Sequence, residues 1–143
     1  MLSLTVGKEL EGRYVVEGLL GSGGYGSVWR AADKQLGRTV ALKRLLRTGT
    51  AFGPTDLQRL LAEARKHAQL VHTNIVQVYD VIECDGEQLI VMEFVDGPSL
   101  LELLRQQVLA GTILPLDRAI SVLRDILSGL TAVQDNPEPF SLY

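Results

Sequence analysis

The chain has a single cysteine, Cys84, in 143 residues. No disulfide can form within it, and a four-ligand zinc site lacks the thiolates it would need. A lone free thiol suits a reducing compartment. An excess of one charge is also missing: 14 Lys and Arg face 17 Asp and Glu, for a formal net charge of −3. Binding to nucleic acid by phosphate neutralisation needs a basic field, so no nucleic-acid partner is expected. Long apolar runs are absent too. The longest, "LIVMEFV" over 89–95, contains Glu93 and falls far short of the roughly 20 residues that cross a bilayer. The N-terminal "MLSLTVGKELEGR" carries acidic residues and only a token apolar patch, unlike a secretory leader. A cytoplasmic protein with no membrane segment is the expectation.

What remains is an ordinary globular composition, 46% hydrophobic and 22% charged, long enough for one domain with a core and short for two. The most informative stretch is "LLGSGGYGSVWRAA", residues 19–32, with Gly21, Gly23 and Gly26 spaced as G-x-G-x-x-G. In a dinucleotide-binding domain that loop opens a helix whose N-terminus holds the pyrophosphate. Here Val28 and Trp29 continue as strand, and Asp33–Gly37 turns the chain back. The acidic ribose-binding residue expected about 20 positions on is missing, its region being occupied by Lys43, Arg44 and Arg47. A dinucleotide site is therefore disfavoured.

"YVVEGLL" (14–20), "GSVWRAA" (26–32) and "RTVALKRLL" (38–46) are rich in β-branched and apolar residues and read as three strands of an antiparallel meander. Gly53-Pro54 then breaks the chain. Thr55 with Gln58 forms a capping box, and Leu57, Leu60, Leu61, Ala64, Ala68 and Val71 recur on one helical face. Two further strands flank Asp85-Gly86, a two-residue hairpin signal. Ser99 and Glu102 cap a helix that Gly111 closes. A longer helix over about 116–135 carries Ala119, Leu123, Ile126, Leu127, Leu130 and Val133 on one side. The expected fold class is α+β: a five-stranded antiparallel sheet with one inserted helix, followed by two helices. No internal repeat is visible. Of the two histidines, His67 falls on the inserted helix as a packed or solvated residue, and His72 follows it.

Taken in order, these segments resemble the protein kinase family, of the bacterial serine/threonine type. The glycine-rich pattern G-x-G-x-x-G-x-V is met by Gly21, Gly23, Gly26 and Val28, and the third-strand V-A-x-K by Val40, Ala41 and Lys43. "HTNIVQVYD" is similar to the family's stretch between helix and fourth strand, where His72 is structural, and "VMEFVDGPSL" to its interlobe hinge. The resemblance implies an N-terminal extension (1–13), an ATP-binding N-lobe (14–95), a hinge linker (96–98) and a partial C-lobe (99–143). It implies ATP as ligand, with Lys43 on the α- and β-phosphates and Glu63 as its ion-pair partner. The implied ATP-binding set is Leu20, Gly21, Ser22, Gly23, Gly24, Tyr25, Gly26, Val28, Ala41, Lys43, Met92, Glu93, Val95 and Ser99. Each has a plainer alternative: a glycine-rich hairpin turn, a surface lysine, a solvated helical glutamate, or core residues.

The family's H-R-D-x-x-x-x-N and D-F-G motifs, which hold the catalytic Asp and the Mg2+ ligands, do not occur in this sequence. Asp117, Asp125 and Asp135 lie in or beside a helix without the needed neighbours, so no metal site is expected even though the family uses Mg2+. The reading that follows is the ATP-binding portion of a kinase acting on protein Ser or Thr, truncated before the catalytic loop and inactive by itself. A non-catalytic nucleotide-binding or scaffolding module, or a decayed gene fragment, stands as the alternative. The apolar side of helix 116–135 is expected to be exposed and to favour self-association.

Overall fold

The computed structural model describes residues 4–23, 26–45 and 70–135. The inserted helix of the expected fold, with Glu63 and His67, lies outside the described residues, as do Gly24 and Tyr25. Six strands form one antiparallel sheet: β1 (Glu9–Leu10), β2 (Tyr14–Gly23), β3 (Gly26–Asp33), β4 (Arg38–Leu45), β5 (Val78–Cys84) and β6 (Glu87–Glu93), in the spatial order β1-β2-β3-β4-β6-β5. Two helices follow, α1 (Leu100–Leu109) and α2 (Leu116–Gln134). Val71, expected on the apolar face of the inserted helix, is instead 82% exposed in non-helical chain.

The expected five-stranded sheet is thus corrected to six. The added strand is two residues long, too short to show any period, and it forms because the chain doubles back at once. Glu11 and Gly12 take left-handed φ values of 49° and 65°, which sets Glu9 against Val15 and Leu10 against Tyr14. Leu4 and Leu10 then enter the core beside Tyr14, Val16, Leu42, Ile82, Leu89 and Val91. Lys8 donates to Asp85 at 2.9 Å, so the N-terminal segment meets the β5–β6 turn from across the molecule. The sheet is curled tightly enough for its first strand and its last hairpin to touch.

Short-range chemistry explains the turns. Asp85 (φ 52°) and Gly86 (φ 74°) occupy the two left-handed positions of the β5–β6 hairpin, as an Asp-Gly pair favours. At the β3–β4 turn, Asp33 Oδ1 accepts the backbone N–H groups of Gln35 and Leu36 at 3.1 and 3.2 Å. The same buried carboxylate takes a two-pronged donation from Arg13, at 2.8 and 2.7 Å. These contacts, the Arg13 pair foremost, hold the Asp33 carboxyl at about 2, below its ordinary 3.8, and raise the Arg13 guanidinium. A residue read from sequence as a simple turn-former is therefore the knot between the segment before β2 and the end of β3.

Ser99 caps α1 as expected: its Oγ accepts the Glu102 N–H at 3.2 Å, and its own N–H donates to the Glu102 carboxylate at 2.6 Å. Donation from the Ser99 hydroxyl at 2.7 Å, with that from its backbone N–H, holds Glu102 below the usual carboxylate range. Ala110 and Gly111 (φ 65°) end the helix. In α2 the one buried residue is Gly129, where a Cβ would stand 3.2 Å from the Asn74 carbonyl oxygen. Its neighbour Ser128 lies 3.3 Å from His72 Nε2. His72 Nδ1 accepts the Asn74 N–H at 3.1 Å, which in the neutral ring leaves the proton on Nε2, directed at Ser128. His72 is thus part of the seat for α2.

Candidate functional site

Strand alternation sorts the basic residues of β4. Lys43 and Arg44 point to opposite faces because successive side chains must. Arg44 is taken up by Glu87 in a two-pronged pair at 2.6 and 2.9 Å, both partners largely buried. Lys43 lies opposite Val28 on β3 and Ile90 on β6, on the other face. Among the described residues no carboxylate is within ion-pair distance of its ammonium. A cavity of about 180 Å³ opens there, lined by Gly21, Ser22, Gly23, Gly26, Val28 and Lys43.

The glycines of this hairpin are not flanked by the strands, as the sequence suggested; Gly21 and Gly23 are inside β2, paired with Val28 and Gly26. A Cβ on Gly21 or Gly23 would meet nothing within 4 Å, and neither backbone needs the left-handed region. Glycine weakens a strand by roughly 0.5–1 kcal/mol relative to alanine, so folding alone gives no reason for either. Gly26 differs: its φ of 136° is one that other residues rarely adopt. Two bulges, at Glu17 and at Leu20, interrupt the β2–β3 register. A bulge adds local twist and bends its strand.

Beyond the cavity the same face continues along the ladder. Ala41 pairs with Arg30 on one side and Met92 on the other, and is 4% exposed. Leu20 is 49% exposed beside the glycines. Glu93 ends β6 by donating its N–H to the Gln77 carbonyl at 2.8 Å, while its carboxylate accepts the Gln77 N–H. Val95 is exposed in the segment leaving the sheet, and the Ser99 hydroxyl is engaged with Glu102 in the cap of α1. The structure therefore gathers Gly21, Ser22, Gly23, Gly26, Val28 and Lys43 around one space. Ala41 and Met92 lie next to it on the same face, and Leu20, Val95 and Ser99 are more open. The sequence reading missed Arg30, which shares this face with Val28 and Ala41; period-two alternation along β3 could have placed it there.

Among the described residues no group of three His, Cys, Asp or Glu side chains could hold a metal ion. The donors among the described residues do not fit Mg2+. What the arrangement offers is a cation, strand-backbone N–H groups free of side-chain cover, and an apolar wall, a set suited to an anionic group joined to an apolar one.

Comparison with known proteins bears on the family and the fold. The serine/threonine-protein kinase PksC of Streptomyces coelicolor is 39% identical over 123 residues, which cover 83% of this chain and 22% of PksC. The serine/threonine-protein kinase PrkC of Bacillus subtilis is 34% identical over 133 residues, covering 93% of this chain and 20% of PrkC. The chain spans about a fifth of the length of these relatives. Among solved structures, the PknI kinase domain of Mycobacterium tuberculosis superposes with a TM-score of 0.80 at 24% identity, over 95% of this chain and 53% of that one, a likeness of fold. Residues 14–136 match the protein kinase domain, and the chain belongs to that family.

Proposed function

We propose that this chain is the ATP-binding portion of a serine/threonine protein kinase, the parent reaction being transfer of the γ-phosphoryl group of ATP to a protein hydroxyl. One observation carries the reading: two strand glycines with open space around them border the same cavity as the Lys43 side chain. Glycine there costs stability without serving the fold, and is explained by a ligand that approaches the backbone closely. In this reading Lys43 contacts the α- and β-phosphates as a point charge, and Glu63 orients it. Gly21–Gly26 cover the phosphates. Leu20, Val28, Ala41 and Met92 bound the adenine, and Glu93, Val95 and Ser99 lie along its outer edge. Residues 14–95 form the nucleotide lobe, 96–98 the linker and 99–143 part of the second lobe. The groups that activate the substrate hydroxyl and hold Mg2+ are not among the motifs of this sequence.

The test is titration of the chain with ATP, wild type against Lys43→Met. Loss of a charge-assisted contact to phosphate is expected to weaken binding by about tenfold or more. Equal affinity in the two proteins would overturn the reading.

A second reading, a scaffolding module, is favoured by one feature. Ile120, Leu123 and Leu127 of α2 are 47%, 59% and 62% exposed and line an open groove with Arg124, Ser128 and Thr131. A chain that binds no ATP and self-associates through this face in light scattering would support it.

A further inference from the structure

Arg30 lies on the nucleotide face of β3, two residues along from Val28 and opposite Ala41. Its guanidinium is held at 2.8 Å by Glu17 and sits over the Phe94 ring, 5.2 Å from the centroid. Each partner belongs to a different segment of the chain. Glu17 is the extra residue at the first β2 bulge, where the strand carrying Gly21 and Gly23 bends. Phe94 is the first residue beyond β6, in the segment that leads to α1. Between Arg30 and β6 the ladder holds only Ala41, whose small side chain leaves room for a long one to pass above it.

We propose that Arg30 is a positioning residue that ties the glycine-bearing hairpin to the segment leaving the sheet after Glu93. The tie fixes the slant of the hairpin over the Lys43 cavity; its effect on ATP rests on the nucleotide-binding reading above. The physical basis is additive and modest. An exposed ion pair and a cation–π contact are each weak alone, but sharing one guanidinium they join two segments that have no hydrogen-bond ladder between them. Arginine suits the position because its planar head presents an edge to a carboxylate and a face to a ring.

The experiment is amide hydrogen exchange on the whole chain without nucleotide, for wild type, Arg30→Met, Arg30→Lys and Lys34→Met. Lys34 pairs with Glu9 at 2.8 Å with similar exposure but at the far end of the hairpin. Arg30→Met is expected to speed exchange about fivefold both in residues 17–22 and in 94–97, with Arg30→Lys intermediate and Lys34→Met unchanged. No change in 94–97, or an equal rise in Lys34→Met and across the core strands, would overturn the tie. In ATP titration Arg30→Met is expected to weaken affinity about threefold with the melting temperature within a few degrees of wild type. Unaltered affinity beside faster exchange would overturn the positioning role. If Lys43→Met binds ATP like wild type while the exchange result holds, the nucleotide reading fails and the tie stands.

Discussion

Leu42, Leu89 and Val91 in the sheet are wholly buried, whereas Leu101, Leu109, Leu123 and Leu127 in the helices are each more than half exposed. Both regions are rich in leucine, and both have the local signals of their elements in order. The sheet closes on itself: its concave core receives Leu4 and Leu10 from the N-terminal segment, and Arg13, Asp33, Arg44 and Glu87 fasten its ends. α1 has a capping box and α2 has no side-chain cap, yet both cover little; among the described residues α2 is seated through Gly129 and the 72–75 segment. Capping makes a helix, and only a second surface makes it a layer.

Truncating one leucine in each region breaks that comparison most sharply. Leu42→Ala, in the wholly buried core, is expected to cost about 3 kcal/mol in urea unfolding followed by the fluorescence of Trp29. Leu127→Ala, at 62% exposure, is expected to stay within about 0.5 kcal/mol. Similar costs would mean that α2 is covered in solution, by a second copy or a partner.

Asp33 gives the next largest effect. Replacing it by alanine strands Arg13 and frees the β3–β4 turn, for an expected loss of about 2–3 kcal/mol. The pH dependence has a definite sign. The folded carboxyl sits at about 2 against an ordinary 3.8, so its contribution is complete above the ordinary value and is lost as the pH falls toward 2. Acid titration of stability is expected to drop between about pH 4 and pH 2, and Asp33→Asn is expected to flatten the curve in that window.

A smaller effect than that of Asp33 belongs to the cap of α1. Ser99→Ala removes the hydroxyl that accepts the Glu102 N–H and donates to the Glu102 carboxylate, and leaves the backbone N–H of position 99 in place. It is expected to cost about 1 kcal/mol, read as a loss of helical circular dichroism and not as a shift in sheet unfolding. A matching shift in sheet unfolding would show that α1 is coupled to the strands.

Much of the fold was legible because it is written in local chemistry. Asp85-Gly86 fixed a hairpin, Ser99 with Glu102 a cap, and runs rich in β-branched and apolar residues the strands from Tyr14 onward. What escaped is what depends on distant partners. Glu9–Leu10 has no period to read, and Leu10 is buried only because the sheet curls onto it. Asp33 looked like a turn residue because Arg13, 20 positions earlier, gives no local sign of facing it. In the candidate site, alternation put Ala41 and Lys43 on one face, and the register confirmed that Val28 shares it. The bulges at Glu17 and Leu20, which bend the glycine-bearing strand, have no sequence signature, and Arg30 went unread because its partners lie on other elements.

The seat of α2 restricts how that helix could move. With only a hydrogen atom facing Asn74, there is no cushion between the two backbones. Sliding the helix along its axis would bring the residues one turn away, Ile126 or Val133, toward the carbonyl, and rolling it about that axis would bring Ser128 or Leu130. Tilting about the contact swaps no side chain into the gap, so the joint behaves as a rocker: stiff to shear, compliant to inclination.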